Sequence, residues 1–178
     1  MQKATHLSEP TKAPFRIPTD LTAEKVRQIS GSLNLLLADV FALYLKTKSF
    51  HWHMIDPHFR DYHLLFDEQA AQLLAMTDNI AERMRKIGGL TFCSIGDISR
   101  HQRLRDNYRA TLSPTEMLSA LCSDNKQITG FLRLTHQVCE RNGDVATGGL
   151  VETWIDETEQ RTCFLSAALA DLMVEYNR

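Results

Sequence analysis

No Cys-x-x-Cys spacing occurs among the four cysteines, Cys93, Cys122, Cys139 and Cys163. A disulfide framework and a thiolate zinc site are therefore not indicated, and the thiols read as reduced, small core residues. The chain shows no charged-then-apolar leader and no unbroken apolar run of bilayer length, which points to a cytoplasmic protein with no membrane partner. With a formal net charge of −2 and no large basic patch, nothing in the bulk electrostatics drives it toward nucleic acid or membrane. There is no Glu-x-x-His, no internal repeat and no low-complexity tract. What remains, 178 residues with 43% hydrophobic content, suits one domain with a real core.

Proline is concentrated at the start, with three of the five in MQKATHLSEPTKAPFRIPTD. Residues 1–20 have no helical period and read as a flexible arm, leaving residues 21–178 as the folded domain. From Leu21 the apolar positions Val26, Ile29, Leu33, Leu36, Val40 and Leu43 step by three and four, predicting an amphipathic helix to about Met54. Ile55-Asp56-Pro57-His58 breaks it. A second helix follows, with Phe66, Ala70, Leu73, Thr77, Ile80, Met84 and Ile87 on one face and Gly88-Gly89 as its stop, so the pair forms an antiparallel hairpin. Residues 88–113 are too long for a turn and predict a crossover holding a short helix around Asp97 to Leu104. Ser113-Pro114-Thr115-Glu116 is a capping box that opens a third helix carrying Met117, Leu121, Ile128, Phe131 and Val138 to about Arg141. Asp144 caps a fourth, with Leu150, Trp154, Leu165, Ala168 and Leu172 as its apolar positions. The fold class is all-α: a ferritin-like four-helix bundle with a long crossover between the second and third long helices.

The second helix also carries four potential metal ligands, His63, Asp67, Asp78 and Glu82, with His51 just before it. At ~1.5 Å rise per residue, His63 and Glu82 stand roughly 28 Å apart along the axis. On a helical projection with Phe66 at zero, the apolar series falls between about −60° and +40°, whereas the four ligands fall at about 60°, 100°, 120° and 160°. The ligand stripe lies beside the core stripe. Metal inside the bundle would need ligands aimed at its axis, and with no Glu-x-x-His an intrasubunit di-iron centre is disfavoured. An isologous contact between antiparallel copies of this helix sets His63 and Asp67 of one chain opposite Asp78 and Glu82 of the other, giving two equivalent sites per dimer. The hairpin turn brings His51 toward His63. Two imidazoles with several carboxylates suit iron, with zinc or manganese as substitutes, and the absence of thiolate argues against copper(I). Taken singly, each residue has a plainer account as a solvated acid, a loop histidine or half of a helical ion pair such as Asp78 with Arg85 or Glu82 with Lys86.

The run Lys48-Ser49-Phe50-His51-Trp52, His63 twelve positions on, Asp67, and Asp78-Asn79-Ile80-Ala81-Glu82-Arg83-Met84-Arg85-Lys86-Ile87-Gly88-Gly89 resembles the signature of Dps proteins, the ferritin-like mini-ferritins of starved bacterial cells. Asp144-Val145-Ala146-Thr147 and the helix from Trp154 to Leu172 are also similar, so the likeness spans roughly residues 21–175. The resemblance implies a hollow homo-oligomer of twelve subunits that oxidises ferrous iron at two-fold dimer interfaces, typically with hydrogen peroxide, and stores it inside as ferric mineral. Such a ferroxidase protects a bacterial cytoplasm, and its DNA, from oxidative stress. By the same resemblance His51, His63 and Asp67 come from one subunit and Asp78 and Glu82 from its neighbour, and Trp52 shields the site or quenches stray oxidants. Simple interface packing accounts for Trp52 equally well. Asp144 lines an iron pore or acts only as an N-cap, and Glu68 faces a mineral cavity or is an exposed helical acid.

Two residues depart from the family pattern: His53 stands where asparagine usually follows His-Trp, and Asp56 where glycine is common. Both add potential ligands near the site and remove none. DNA binding and nucleoid association, which give the family its name, depend on basic arms. Here Lys3, Lys12 and Arg16 face Glu9 and Asp20, one net positive charge that only twelve-fold avidity makes useful. His6 in the arm reads as a solvated side chain. The leading expectation is an iron-oxidising storage cage. The alternatives are a DNA-compacting structural particle and a ferritin-like protein with its site inside the bundle.

Overall fold

The computed structural model describes residues 17–109 and 111–176, and among them five helices and no strand: α1 (Ala23–His53), α2 (Phe59–Lys86), α3 (Ile95–His101), α4 (Pro114–Asn142) and α5 (Val145–Tyr176). Most of the proposed arm, including Lys3, His6, Glu9, Lys12 and Arg16, lies outside the described residues. Four long helices make two hairpins, α1 with α2 and α4 with α5, joined by the crossover that carries α3.

Local chemistry sets the ends. The Thr22 hydroxyl accepts from the Lys25 amide at the head of α1. Ser113 and Glu116 close a reciprocal capping box at the head of α4, with Pro114 in the first turn where its missing N–H costs nothing. α2 and α4 both end on a glycine in the left-handed region, Gly88 at φ 90° and Gly143 at φ 72°. In each case the next residue's amide reaches back five positions, Gly89 to Met84 and Asp144 to Cys139, which satisfies carbonyls the helix end leaves open. Asp144 then starts α5 directly, its Oδ1 accepting from the Thr147 amide at 3.0 Å.

The α2 face drawn from periodicity is buried along its whole length, from Phe66 through Ile87, against Ile29, Leu33, Leu36, Val40 and Leu43 of α1. At ~1.5–3 kcal/mol per large side chain, this shared interior is the main term holding the helices together. On α5 the expected Trp154 and Leu165 are buried and Ala168 and Leu172 pack against the core, with Leu150 the exception. Leu150 is exposed, and the buried row runs Thr147, Val151, Trp154, Thr158, Arg161 and Leu165. Three of those six are polar, so an apolar count sees only part of the stripe. Thr158 turns its hydroxyl onto the Trp154 carbonyl, and Arg161 donates to Asn125 and Thr158. Burial pulls the Arg161 guanidinium down to about 10.

The crossover is pinned by charge. Asp39 of α1 has no exposed surface and accepts from the Arg103 amide and, through Oδ2, from its guanidinium at 2.8 and 2.6 Å. That guanidinium also lies 3.7 Å from the Phe131 ring centroid. The short helix is Ile95–His101, so Leu104, expected at its end, instead anchors the extended segment in the core. α1 is long and apolar enough to cross a membrane by length and composition, but its run is broken by Asn34 and Asp39 and half of its apolar window is buried within the bundle, as in the core helix of a folded domain.

Candidate metal centre

The α1–α2 hairpin sets two histidines face to face. His51, near the C-terminal end of α1, and His63, in the second turn of α2, stack with ring centroids 3.7 Å apart. Each ring is tied to the other residue's backbone: His51 Nδ1 lies 2.9 Å from the His63 carbonyl and His63 Nδ1 lies 3.0 Å from the His51 carbonyl. A carbonyl only accepts, so both Nδ1 atoms carry hydrogen, and in the neutral rings both Nε2 atoms keep their lone pairs. An Nδ1–H bond to a backbone carbonyl is how metal-binding imidazoles are held to one tautomer and orientation. Phe59, one turn before His63, stacks on its ring at 4.8 Å between centroids and extends the pile.

Asp67, one turn after His63, stands 3.9 Å from His51 Nε2. Two donors each ~2.0–2.2 Å from a shared ion stand roughly 3–4 Å apart, so the pair fits one cation. Its near neighbour is Lys48, whose ammonium lies 2.6 Å from Asp67 Oδ1. That hydrogen bond, and then the positive charge around it, holds the Asp67 carboxyl below the ordinary aspartate range. The ammonium thus occupies part of the position a metal would take. Sequence reasoning quoted Lys48 only as part of a motif and missed this role; its place three residues before His51, on the same helical face, was the available signal.

Asp78 and Glu82 do not join this cluster within one chain. Both are exposed three and four turns further along α2, and Glu82 holds Lys86 at 2.9 Å. Among the described residues no three His, Cys, Asp or Glu side chains converge into a complete cation site. The positions are nevertheless paired: the midpoint of His63 and Glu82 and the midpoint of Asp67 and Asp78 both fall between Gln72 and Leu73. A two-fold axis there would set each donor of one half opposite a donor of the other. The same stripe exposes Leu64 and Leu74, with Trp52 and Phe59 exposed at its His end. Large apolar side chains interleaved with acids mark a face that another surface covers.

The other candidates sort by their contacts. His53 is exposed with Nδ1 on the Ser49 carbonyl at 2.7 Å, and Asp56 Oδ1 accepts from the His58 amide at 2.8 Å, shaping the hairpin loop. Asp144 is buried, ion-paired to Arg83 at 2.7 Å and capping α5, so its role in the chain is the N-cap. Glu68 is exposed. The bundle interior offers no alternative centre among the described residues. Its buried carboxylates are Asp39, Asp124 and Asp144, and each is matched to a cation, Arg103, Lys46 and Arg83 respectively.

A crossover-linked four-helix bundle of this kind is ferritin-like, and residues 31–173 match the family model for the ferritin-like domain. Among curated proteins the chain is 34% identical over 129 residues to a low temperature-induced protein of Nostoc sp., covering 72% of this chain and 70% of that one. It is 24% identical over 151 residues to DNA protection during starvation protein 1 of Deinococcus radiodurans, covering 85% and 73%. The solved Dps structure from Thermosynechococcus elongatus superposes with a TM-score of 0.79 at 25% identity, covering 82% of this chain and 92% of that one. The chain belongs to the Dps family of ferritin-like proteins, which supports an iron-storage role and assembly from like subunits.

Proposed function

We propose that this protein is a mini-ferritin that oxidises ferrous iron at sites shared across a two-fold dimer interface and stores the ferric product in a dodecameric cage. The observation that carries the reading is the split ligand set. His51, His63 and Asp67 gather at one end of α2 with both imidazole tautomers fixed, while Asp78 and Glu82, the latter holding only Lys86, are exposed at the mirrored positions of the same stripe.

Iron is the substrate. The Nε2 atoms of His51 and His63 supply neutral donors suited to the ferrous ion, and Asp67 with the partner's Asp78 and Glu82 supply charge that favours the ferric product. Incoming iron displaces the Lys48 ammonium from Asp67. With hydrogen peroxide as oxidant, two ferrous ions and two protons yield two ferric ions and two waters, so no hydroxyl radical is released. Trp52, exposed beside His51, covers the site from the interface side or gives up an electron to stray oxidant. Zinc and manganese fit the same donor set as competing ions. The setting is a bacterial cytoplasm, where the cage removes iron and peroxide together and so protects DNA.

The test is the particle mass by light scattering, measured before and after anaerobic addition of ferrous iron and then peroxide. Twelve chains of 20.3 kDa give about 240 kDa. A particle of that mass that consumes peroxide and retains a ferric core is the expected result. A stable monomer sinks the shared site, and a dodecamer that stays free of iron moves the weight to a DNA-compacting particle.

A further inference from the structure

A second imidazole arrangement lies away from α2, on the seam where α4 meets α5. His136 of α4 places Nε2 2.9 Å from Glu152 Oε1 of α5 and Nδ1 3.7 Å from Glu140 Oε2, one turn on along its own helix. A carboxylate can only accept, so the bond to Glu152 puts a hydrogen on Nε2 and, in the neutral ring, a lone pair on Nδ1. That lone pair faces the Glu140 carboxylate. Two acceptors 3.7 Å apart have no hydrogen bond between them, and either a proton on Nδ1 or a cation shared by the two would satisfy both.

We propose that His136 Nδ1 and Glu140 form a second divalent-cation site, with Glu152 as the carboxylate that orients the imidazole. The spacing fits, since two donors ~2.0–2.2 Å from one ion stand roughly 3–4 Å apart. Donors at i and i+4 share a helix face, so one helix supplies both without distortion. The order carboxylate, histidine, metal is the arrangement by which proteins fix a ligand's tautomer and raise its basicity. Around the pair is an open cleft of about 480 Å³ lined by Arg133, Gln137 and Ile155 besides the three residues named, room for waters to complete the coordination. Arg133 is the one cation in that lining, and its charge is offset by its ion pair with Glu159 of α5. With two protein donors the site takes a first-row divalent ion loosely, with a nitrogen and an oxygen suiting zinc, cobalt or ferrous iron better than magnesium or calcium. It is separate from the His51 cluster and does not rest on the ferroxidase reading.

The probe is Zn²⁺ alone, added to the intact protein. Crystals soaked in Zn²⁺ should show an anomalous peak between His136 Nδ1 and Glu140. In equilibrium dialysis, His136→Gln and Glu140→Gln should each lose one zinc equivalent per chain relative to the unaltered protein while keeping its particle mass. Glu152→Gln should retain the ion with affinity lowered about 10- to 100-fold. Zinc found only at the His51 end of α2, or unchanged stoichiometry in both His136→Gln and Glu140→Gln, overturns the site and assigns the gap to a proton on His136. Unchanged affinity in Glu152→Gln overturns the orienting role.

Discussion

The proposed division of ligands between chains makes a prediction with a calculable size. Asp78→Ala removes a donor from one half of every shared site, and His63→Ala removes a donor from the other half. Each variant by itself therefore has no complete site. A mixed dimer differs: the Asp78→Ala chain contributes an intact His63 end and the His63→Ala chain an intact Asp78 end. One of its two sites is whole and the other lacks both residues. Random association of equal amounts makes half the dimers mixed, so about a quarter of all sites should be restored. Asp78 is exposed and its side chain has no partner among the described residues, so its removal should leave the fold within about 0.5 kcal/mol. The assay is the rate of ferric absorbance after peroxide is added to anaerobic ferrous-loaded particles, on separate and co-assembled variants with masses checked. Co-assembled particles no faster than their parents would refute the shared site. Near-normal activity in Asp78→Ala alone would remove that residue from the ligand set.

Further expectations follow from other contacts. Lys48→Met should raise ferrous-iron occupancy and let the Asp67 carboxyl return toward its ordinary value of ~3.9, read by carboxyl-carbon NMR and by iron titration against pH. The sign is set by the lowered native value: the Lys48–Asp67 pair is present above the unfolded aspartate value and is lost as pH falls through the native one, a dependence absent from the variant. Asp39→Ala should cost about 2–4 kcal/mol in chemical denaturation, somewhat under the range for a fully buried pair because the Arg103 side chain keeps a third of its surface. A loss below 0.5 kcal/mol would show that the crossover is held by its apolar anchors. Gly143→Ala should cost about 1–2 kcal/mol, since a Cβ is strained at φ 72°. Gel shifts at two salt concentrations decide the DNA-compacting alternative: with one net positive charge per arm little retention is expected, and retention that fades steeply with salt and disappears when residues 1–16 are deleted would place DNA binding on the arms.

Most of the helical plan was legible because it rests on local rules. Periodicity placed α1, α2 and α4 to within a residue or so of their ends, and Ser113 with Glu116 or Gly143 with Asp144 act through neighbours in sequence. On α5 it found Trp154 and Leu165 but not Thr158 and Arg161, which occupy interior positions that an apolar count assigns to solvent. A buried polar residue is recognised only by its partners, here Asn125 on another helix. The centre was legible in part. That His63, Asp67, Asp78 and Glu82 share one side of α2 follows from 3.6 residues per turn. Neither the reciprocal bonds of His51 and His63 nor the hold of Lys48 on Asp67 does, for each joins atoms on two helices.

Capping and helical pitch act over a few residues, so the ends of the long helices and the common stripe of donors could be read along the chain. That the imidazoles stack with both Nδ1 atoms on carbonyls, that an ammonium already rests on Asp67, and that Asp144 is spent on Arg83 became visible once the helices were packed. Those facts depend on distances of a few ångströms between segments brought together by the hairpin and the bundle, which no spacing along the chain encodes.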